Sequence, residues 1–195
     1  MNVTLLPGHA RKKEGAACCA GYYKDFGEWA LARVYLTSLA DELRSKGYSV
    51  QLTQREDAGG TSPRYSAHAA NATGADIALE WHFNSAAPAT QGCEVLYWHK
   101  SDTGKRFASL LSERLADLLG VPNRGAKPIG AAPDERGYSA FRESRMPFFM
   151  VEPCFAGSNP REAELFGDLI KSGRFARAAG AIVADALGIV YGIET

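Results

Sequence analysis

The segment at residues 76–85 reads DIALEWHFNS, an apolar run that passes directly into polar residues. It predicts a buried strand over residues 76–83. A second predicted strand, residues 2–6, passes in the same way into Pro7-Gly8-His9. Open α/β sheets bind their ligands at the carboxyl ends of strands, so this pattern indicates both the type of fold and the place of its site.

Short apolar runs alternate with helical patterns along the rest of the chain, which predicts an α/β fold. Further strands are predicted at residues 48–53, 94–99 and 148–152, and helices at residues 26–45, 62–72, 105–119, 160–170 and 173–187. Residues 121–147 are rich in Pro, Gly and charge and are predicted to form a long irregular loop. Long loops in compact domains often form lids or substrate walls.

Length and composition predict one globular domain over residues 1–195, because about 150 residues per domain is typical. Hydrophobic residues make up 46% of the chain, enough for a full core. The 22 basic residues balance the 22 acidic ones, which argues against nucleic-acid or membrane partners. Residues 175–193 are apolar but contain Arg177 and Asp185, so a buried helix ending near Gly188 is predicted rather than a membrane span. We expect a monomer.

Two histidines, His9 and His82, are predicted to lie near the carboxyl ends of separate strands, where they can converge. Imidazoles suit zinc, and a catalytic zinc commonly has three protein ligands. Glu28, in the first turn of the helix after His9, is the candidate third ligand; alternatively it only complements the helix dipole at the surface. Glu152 ends an apolar strand, where a buried carboxylate needs a partner or a task, such as general base.

Motifs spread over the whole chain follow a recognisable order. They are Pro7-Gly8-His9, Glu28, Val50-Gln51-Leu52-Thr53, Ala70-Asn71, Ala75-Asp76, His82-Phe83-Asn84, Gly92-Cys93-Glu94-Val95, Asn123-Arg124-Gly125, Arg142, Pro147, Val151-Glu152, Phe155, Asn159 and Glu162. This order resembles that of the zinc-dependent N-acetylmuramoyl-L-alanine amidases that cleave peptidoglycan, the family of bacterial cell-division amidases and phage endolysins.

The resemblance implies a mixed, mostly parallel twisted sheet flanked by helices, of the phosphorylase/hydrolase-like type. It implies one Zn²⁺ bound by His9, Glu28 and His82, with Glu152 as the catalytic carboxylate that activates the attacking water. The bond cleaved would be the amide between the lactyl group of N-acetylmuramic acid and L-alanine of the stem peptide. By their positions, Asn84 and Arg142 are expected to contact the peptidoglycan substrate.

The chain departs from the family pattern at three places. Ala10-Arg11 replaces the glycine after the first histidine, Glu80 stands where a small residue is common, and Cys154 replaces a glycine. Glu80 alternates with His82 along the predicted strand and so faces the same side. It is either a hydrogen-bond partner that supports the imidazole or a solvated charge at the strand end.

Two other functions remain open at this stage. The four cysteines form no Cys-x-x-Cys pair and are expected to be free thiols, but Cys18 or Cys19 could be the nucleophile of a cysteine-dependent cell-wall amidase or peptidase, with His82 as base. The chain could also be a non-catalytic peptidoglycan-binding domain.

The N-terminus shows no export signal, because its basic cluster, residues 11–13, follows the apolar stretch at residues 3–6. We therefore expect synthesis in the cytoplasm and action in the periplasm or cell wall after release, as for a phage or prophage endolysin. A form from which a leader has been removed fits equally well.

Overall fold

One six-stranded sheet organises the computed structural model, which describes residues 1–193. Its strands are β1 (Asn2–Pro7), β2 (Ser49–Leu52), β3 (Ile77–Trp81), β4 (Cys93–Trp98), β5 (Asn123–Ile129) and β6 (Phe148–Glu152), in the spatial order β2-β1-β3-β6-β4-β5. β4 and β6 pair antiparallel, and all other neighbours pair parallel. The predicted mixed, mostly parallel α/β fold is thus confirmed. The predicted domain ends at residue 195, and residues 194 and 195 lie outside the described part.

Helices cover both faces of this sheet. They are α1 (Glu28–Ser45), α2 (Arg64–Thr73), α3 (Asp102–Leu119), α4 (Tyr138–Glu143), α5 (Pro160–Lys171) and α6 (Arg174–Tyr191). The larger core cluster joins the sheet to α1, α3, α5 and α6, and a smaller one joins its other face to α2 and α4. Because both faces are covered, β3 and β6 are buried at every residue, which explains why they are apolar except for one glutamate in each, Glu80 and Glu152.

All five predicted helices are present, with ends that differ from the prediction by a few residues; α3, for example, begins at Asp102 and not at residue 105. On α1, Leu31, Tyr35, Leu39 and Leu43 form one buried face, as their spacing predicted. The last helix is longer than predicted, because α6 continues past Gly188 to Tyr191 and ends at Gly192 in the left-handed conformation. Within residues 1–193 no helix combines the length and apolar character needed to cross a membrane.

The prediction of an irregular loop over residues 121–147 was wrong for much of its length. This segment contains β5 and α4. β5 reads NRGAKPI and has neither an apolar run nor a clear alternation, because it is an edge strand with exposed side chains. Pro128 is tolerated there because an edge strand can leave one side without hydrogen bonds. The rest of the segment contributes Arg136 and Gly137 to a cavity wall.

Candidate active site

His9, Glu28 and His82 converge at the carboxyl edge of the sheet. β1 and β3 are parallel neighbours with Pro7 opposite Trp81, so the residues that follow them leave the sheet side by side. Glu28 is the first residue of α1, and its carboxylate lies between the rings, with Oε1 3.2 Å from His9 Nε2 and Oε2 2.9 Å from His82 Nδ1. One ligand atom from each residue lies within 4.8 Å of the others.

This donor set fits a zinc ion. Zinc ligands at about 2.1 Å in a tetrahedron are about 3.4 Å from one another, close to the separations of the Glu28 oxygens from the two rings. Burial opposes charge on Glu28, yet hydrogen bonds from His82 and His9 outweigh it and lower its pKa to about 2. Burial likewise disfavours charge on His82, but the carboxylates of Glu80 and Glu28 raise its pKa to about 10. The surroundings therefore favour positive charge, which a divalent cation supplies.

The loop between β1 and α1 packs tightly around these side chains. His9 has a left-handed backbone with φ 62°, a conformation that is strained for a residue other than glycine. At Gly15, also left-handed, an added Cβ would lie 2.5 Å from the His9 ring and 2.7 Å from Glu28 Oε1. The amide of Ala16 donates to the same oxygen at 3.0 Å. The loop therefore holds the ligand atoms together and leaves no room for a side chain at Gly15.

Glu152 lies beside this cluster at the end of β6. The pairing of β3 with β6 continues past the strand ends, since the His82 amide donates to the Val151 carbonyl at 2.9 Å. The Glu152 side chain is buried, and its Oε2 has no hydrogen-bond partner among the residues described. Burial raises its pKa to about 7, although the positive charges of His82 and Arg136 oppose this. A carboxylate with a pKa near neutrality suits a general base.

Glu152 also contacts a polar network formed by Arg136, Asn84 and Glu94. Arg136 donates from Nη1 to Asn84 Oδ1 at 2.8 Å and places Nη2 3.5 Å from Glu152 Oε1. Asn84 Nδ2 in turn donates to Glu94 Oε1 at 2.8 Å, and Arg124 donates to Glu94 Oε2 at 2.8 Å. Arg136 was not predicted from the sequence, since an arginine in a loop carries no local signal.

These side chains line one cavity of about 210 Å³. Its walls include His9, Glu28, His82, Asn84, Arg136 and Glu152. The cavity is thus lined by the three candidate ligands, by the buried carboxylate of Glu152 with its raised pKa, and by the half-exposed Arg136. The arrangement can bind a metal and move a proton beside it.

Two other predicted residues have different surroundings. Arg142, expected to contact substrate, is exposed on α4 and lines a separate cavity with Trp98 and Arg145. Arg136, in the loop before α4, is the arginine that enters the site instead. Glu80 is fully buried and ion-paired with Arg55, so it is not a solvated charge at the strand end.

The cysteines show no sign of a nucleophile. All four are free thiols, as predicted. Cys18 is buried and donates to the Ala20 carbonyl, and burial raises the pKa of both Cys18 and Cys19. Within residues 1–193 no hydrogen bond joins either thiol to a histidine.

Known proteins share this sequence pattern and fold. The sequence profile described as N-acetylmuramoyl-L-alanine amidase matches residues 3–185. A comparison with curated proteins finds no match. Cwp6 from Clostridium difficile is 21% identical with a TM-score of 0.77, over 97% of this chain but 29% of that one. This chain therefore spans less than a third of Cwp6.

Two further solved structures match over nearly their whole length. One is an N-acetylmuramoyl-L-alanine amidase from Clostridium difficile 630, 21% identical with a TM-score of 0.74, covering 100% of this chain and 98% of that one. The other is the catalytic domain of CD27L, an endolysin targeting Clostridium difficile, 21% identical with a TM-score of 0.70, covering 96% of each chain. At these identities the likeness establishes a common fold.

Proposed function

The chain belongs to the N-acetylmuramoyl-L-alanine amidase family, and on this basis we propose that it hydrolyses peptidoglycan with one zinc ion held by His9, Glu28 and His82. The bond cleaved joins the lactyl group of N-acetylmuramic acid to L-alanine. The observation that carries the proposal is that three ligand atoms gather within 4.8 Å while Glu152 lines the same cavity.

The residues of this site divide the chemical work. Zinc, when bound, lowers the pKa of a water molecule and polarises the substrate carbonyl. Glu152 removes the proton from the attacking water and then delivers it to the departing amino group of L-alanine. Its raised pKa suits both steps, because the carboxyl group must accept a proton and release it again within one turnover.

Arg136 supports Glu152 directly, and Asn84 supports it through Arg136. The guanidinium of Arg136 places positive charge beside the carboxylate and favours its ionised form. Its hydrogen bond to Asn84 fixes the orientation of that amide, which also contacts Glu94. The half-exposed Arg136 side chain is available to the carbonyl and carboxylate groups of a stem peptide.

The two other functions have less support. A cysteine nucleophile needs a thiolate, and burial disfavours the thiolate of Cys18 and Cys19. A domain that only binds peptidoglycan has no use for a buried carboxylate with a raised pKa beside three potential metal ligands.

Mass spectrometry of purified sacculi tests this proposal. After incubation with the protein, we expect stem peptides with a free L-alanine amino terminus, intact glycan strands, and no release when a zinc chelator is present. Cuts inside the stem peptide, or cleavage that persists in the chelator and stops on thiol alkylation, would contradict it.

We further propose an endolysin role for this activity, supported by the fold shared with the CD27L catalytic domain. An endolysin reaches the wall only after the membrane has been breached. Fractionation of intact, uninfected cells that produce the protein tests this role. We expect the full-length chain in the cytoplasm, and its presence in the periplasm of intact cells would contradict the endolysin role while leaving the amidase activity untouched.

A further inference from the structure

Glu80 lies directly behind one of the candidate zinc ligands. It precedes His82 by two residues, its side chain points to the same face of the sheet, and it is fully buried. Its two carboxylate oxygens have different neighbours. Oε1 faces Arg55 and Ser66, whereas Oε2 lies 3.4 Å from His82 Nε2.

Three donors hold the first oxygen. Arg55 donates to Oε1 from Nε at 3.2 Å and from Nη2 at 2.9 Å, and the Ser66 hydroxyl donates at 2.6 Å. Arg55 is itself buried and uses Nη1 to reach the Thr61 carbonyl at 3.1 Å. A buried, ion-paired carboxylate with this many donors keeps one orientation.

Oε2 of Glu80 and Nε2 of His82 are two buried polar atoms that can satisfy each other's hydrogen bonding. Among the residues described, neither Glu80 Oε2 nor His82 Nε2 has a hydrogen-bond partner, and both atoms are buried. Unpaired buried polar groups are costly, and a proton on Nε2 directed at Oε2 pairs both atoms at once. The opposite ring atom, Nδ1, lies 2.9 Å from Oε2 of Glu28, another candidate ligand.

We propose that Glu80 is a positioning residue that accepts the Nε2–H of His82, and so leaves Nδ1 as the ring atom that binds the metal. Arg55 and Ser66 hold Glu80 in place for this task. The inference rests on the proposed zinc function and adds a residue to it. A carboxylate behind a histidine ligand fixes the tautomer and orientation of the ring, and its loss typically lowers metal affinity about 10–100-fold.

The variant Glu80→Gln tests this role because the surroundings allow its side-chain amide only one orientation. Arg55 can only donate toward Oε1, so the glutamine oxygen must take that place, where the Ser66 hydroxyl can donate to it as well. The amide NH₂ then points at His82 Nε2, where it meets the N–H that zinc binding through Nδ1 requires. Two donors face each other, and we expect zinc affinity about 10–100-fold lower than in the wild-type chain.

Glu143→Gln is a matched control on the surface. Glu143 also joins an arginine and a histidine, since it lies 3.0 Å from an Arg64 nitrogen and 2.7 Å from His68 Nε2, outside the site. Zinc affinity of the full-length variants is measured by competition with a chromophoric chelator, and thermal unfolding of each confirms folding. We expect Glu143→Gln to bind zinc as tightly as the wild-type chain.

Nitrogen-15 NMR of the zinc-loaded wild-type chain gives a second, independent readout. We expect the His82 ring to show a metal-bound Nδ1 and an Nε2–H proton that is hydrogen-bonded and slow to exchange with water, a result that does not depend on whether Glu80→Gln folds. Zinc affinity of Glu80→Gln within twofold of wild type, or metal bound through Nε2, would overturn this inference alone. A wild-type chain that binds no zinc would overturn the proposed function and this inference with it.

Discussion

Glu94 lies directly opposite Glu152 on the antiparallel strands β4 and β6, and Arg136 Nη2 contacts both carboxylates, at 3.4 Å and 3.5 Å. The reversal of direction between these strands is what brings the two acidic side chains together. Burial raises the pKa of Glu152, and the neighbouring Glu94 carboxylate adds to this while Arg136 opposes it. The protonation state of Glu152 near neutral pH thus depends on burial, on the positive charges of His82 and Arg136, and on the carboxylates of Glu28 and Glu94.

Replacing Glu152 by glutamine is expected to lower kcat about 10²–10⁴-fold, because glutamine cannot accept the proton of water. In the wild-type chain, kcat/KM should fall as the pH drops through about 7, since the ionised carboxylate is the active form and is lost below its pKa. Both are measured by release of stem peptides from sacculi. Zinc and sacculus binding by Glu152→Gln serve as the control and should persist. A profile that stays flat down to about pH 5 would rule out this base.

Replacing Arg136 by methionine removes the cation beside Glu152 and should raise the pKa of that carboxyl group further. The acidic limb of the kcat/KM profile then moves to higher pH. At pH 7 we expect a loss of about fivefold, because one pKa unit cuts the ionised fraction from about one half to about one tenth. Arg142→Met is the comparison, since Arg142 lines another cavity. If Arg142→Met lost activity and Arg136→Met did not, Arg142 would be the arginine that contacts the substrate, and the role proposed for Arg136 would be wrong.

Gly15→Ala should weaken zinc binding about tenfold without altering any ligand, because the new Cβ would press on His9 and Glu28. Gly59→Ala is the matched control, with a nearly identical backbone, φ 88° against φ 85°, and no atom within 4 Å of the added Cβ. The left-handed backbone should cost both variants about 1 kcal/mol of unfolding free energy, and Gly15→Ala should lose more because its Cβ also clashes with His9 and Glu28. Chelator competition separates them, and equal zinc affinities would show that the loop does not position the ligands.

Substituting both Cys18 and Cys19 by alanine should leave hydrolysis within about twofold of wild type, because neither thiol has the partners of a nucleophile. Alkylation of the wild-type chain should have equally little effect, while a chelator abolishes activity. The opposite pattern, loss on alkylation and resistance to chelation, would identify a cysteine enzyme. Circular dichroism of the double variant controls for loss of the buried Cys18 side chain.

The sequence predicted that His9, Glu28 and His82 would lie close together, because each of them follows a general rule. His9 and His82 come just after two buried apolar strands, and Glu28 begins an amphipathic helix. Parallel neighbouring strands end at the same edge, so residues after them meet without any further information. Glu152 was predictable for a related reason, since a carboxylate that ends a buried strand needs a partner or a function.

Features that depend on tertiary contacts could not be predicted in this way. β5 carries Gly125 and Pro128 and owes its conformation to pairing with β4, not to its own strand propensity. Arg136 enters the cavity through the path of a loop, which no periodicity records. One of the two possibilities for Glu80, a solvated charge, is excluded by its burial and its ion pair with Arg55, both of which are tertiary features.

The place of β6 in the sheet also bears on how the chain folds. β6 is the last strand to be synthesised, yet it lies between β3 and β4. Until it inserts, β2-β1-β3 and β4-β5 are two separate pieces with open apolar edges that can pair with other chains. Its pairings, such as Ala78 with Phe148, join residues far apart in the chain and form slowly. Glu152 ends this closing strand, so the proposed base joins the proposed zinc ligands only when the sheet is complete.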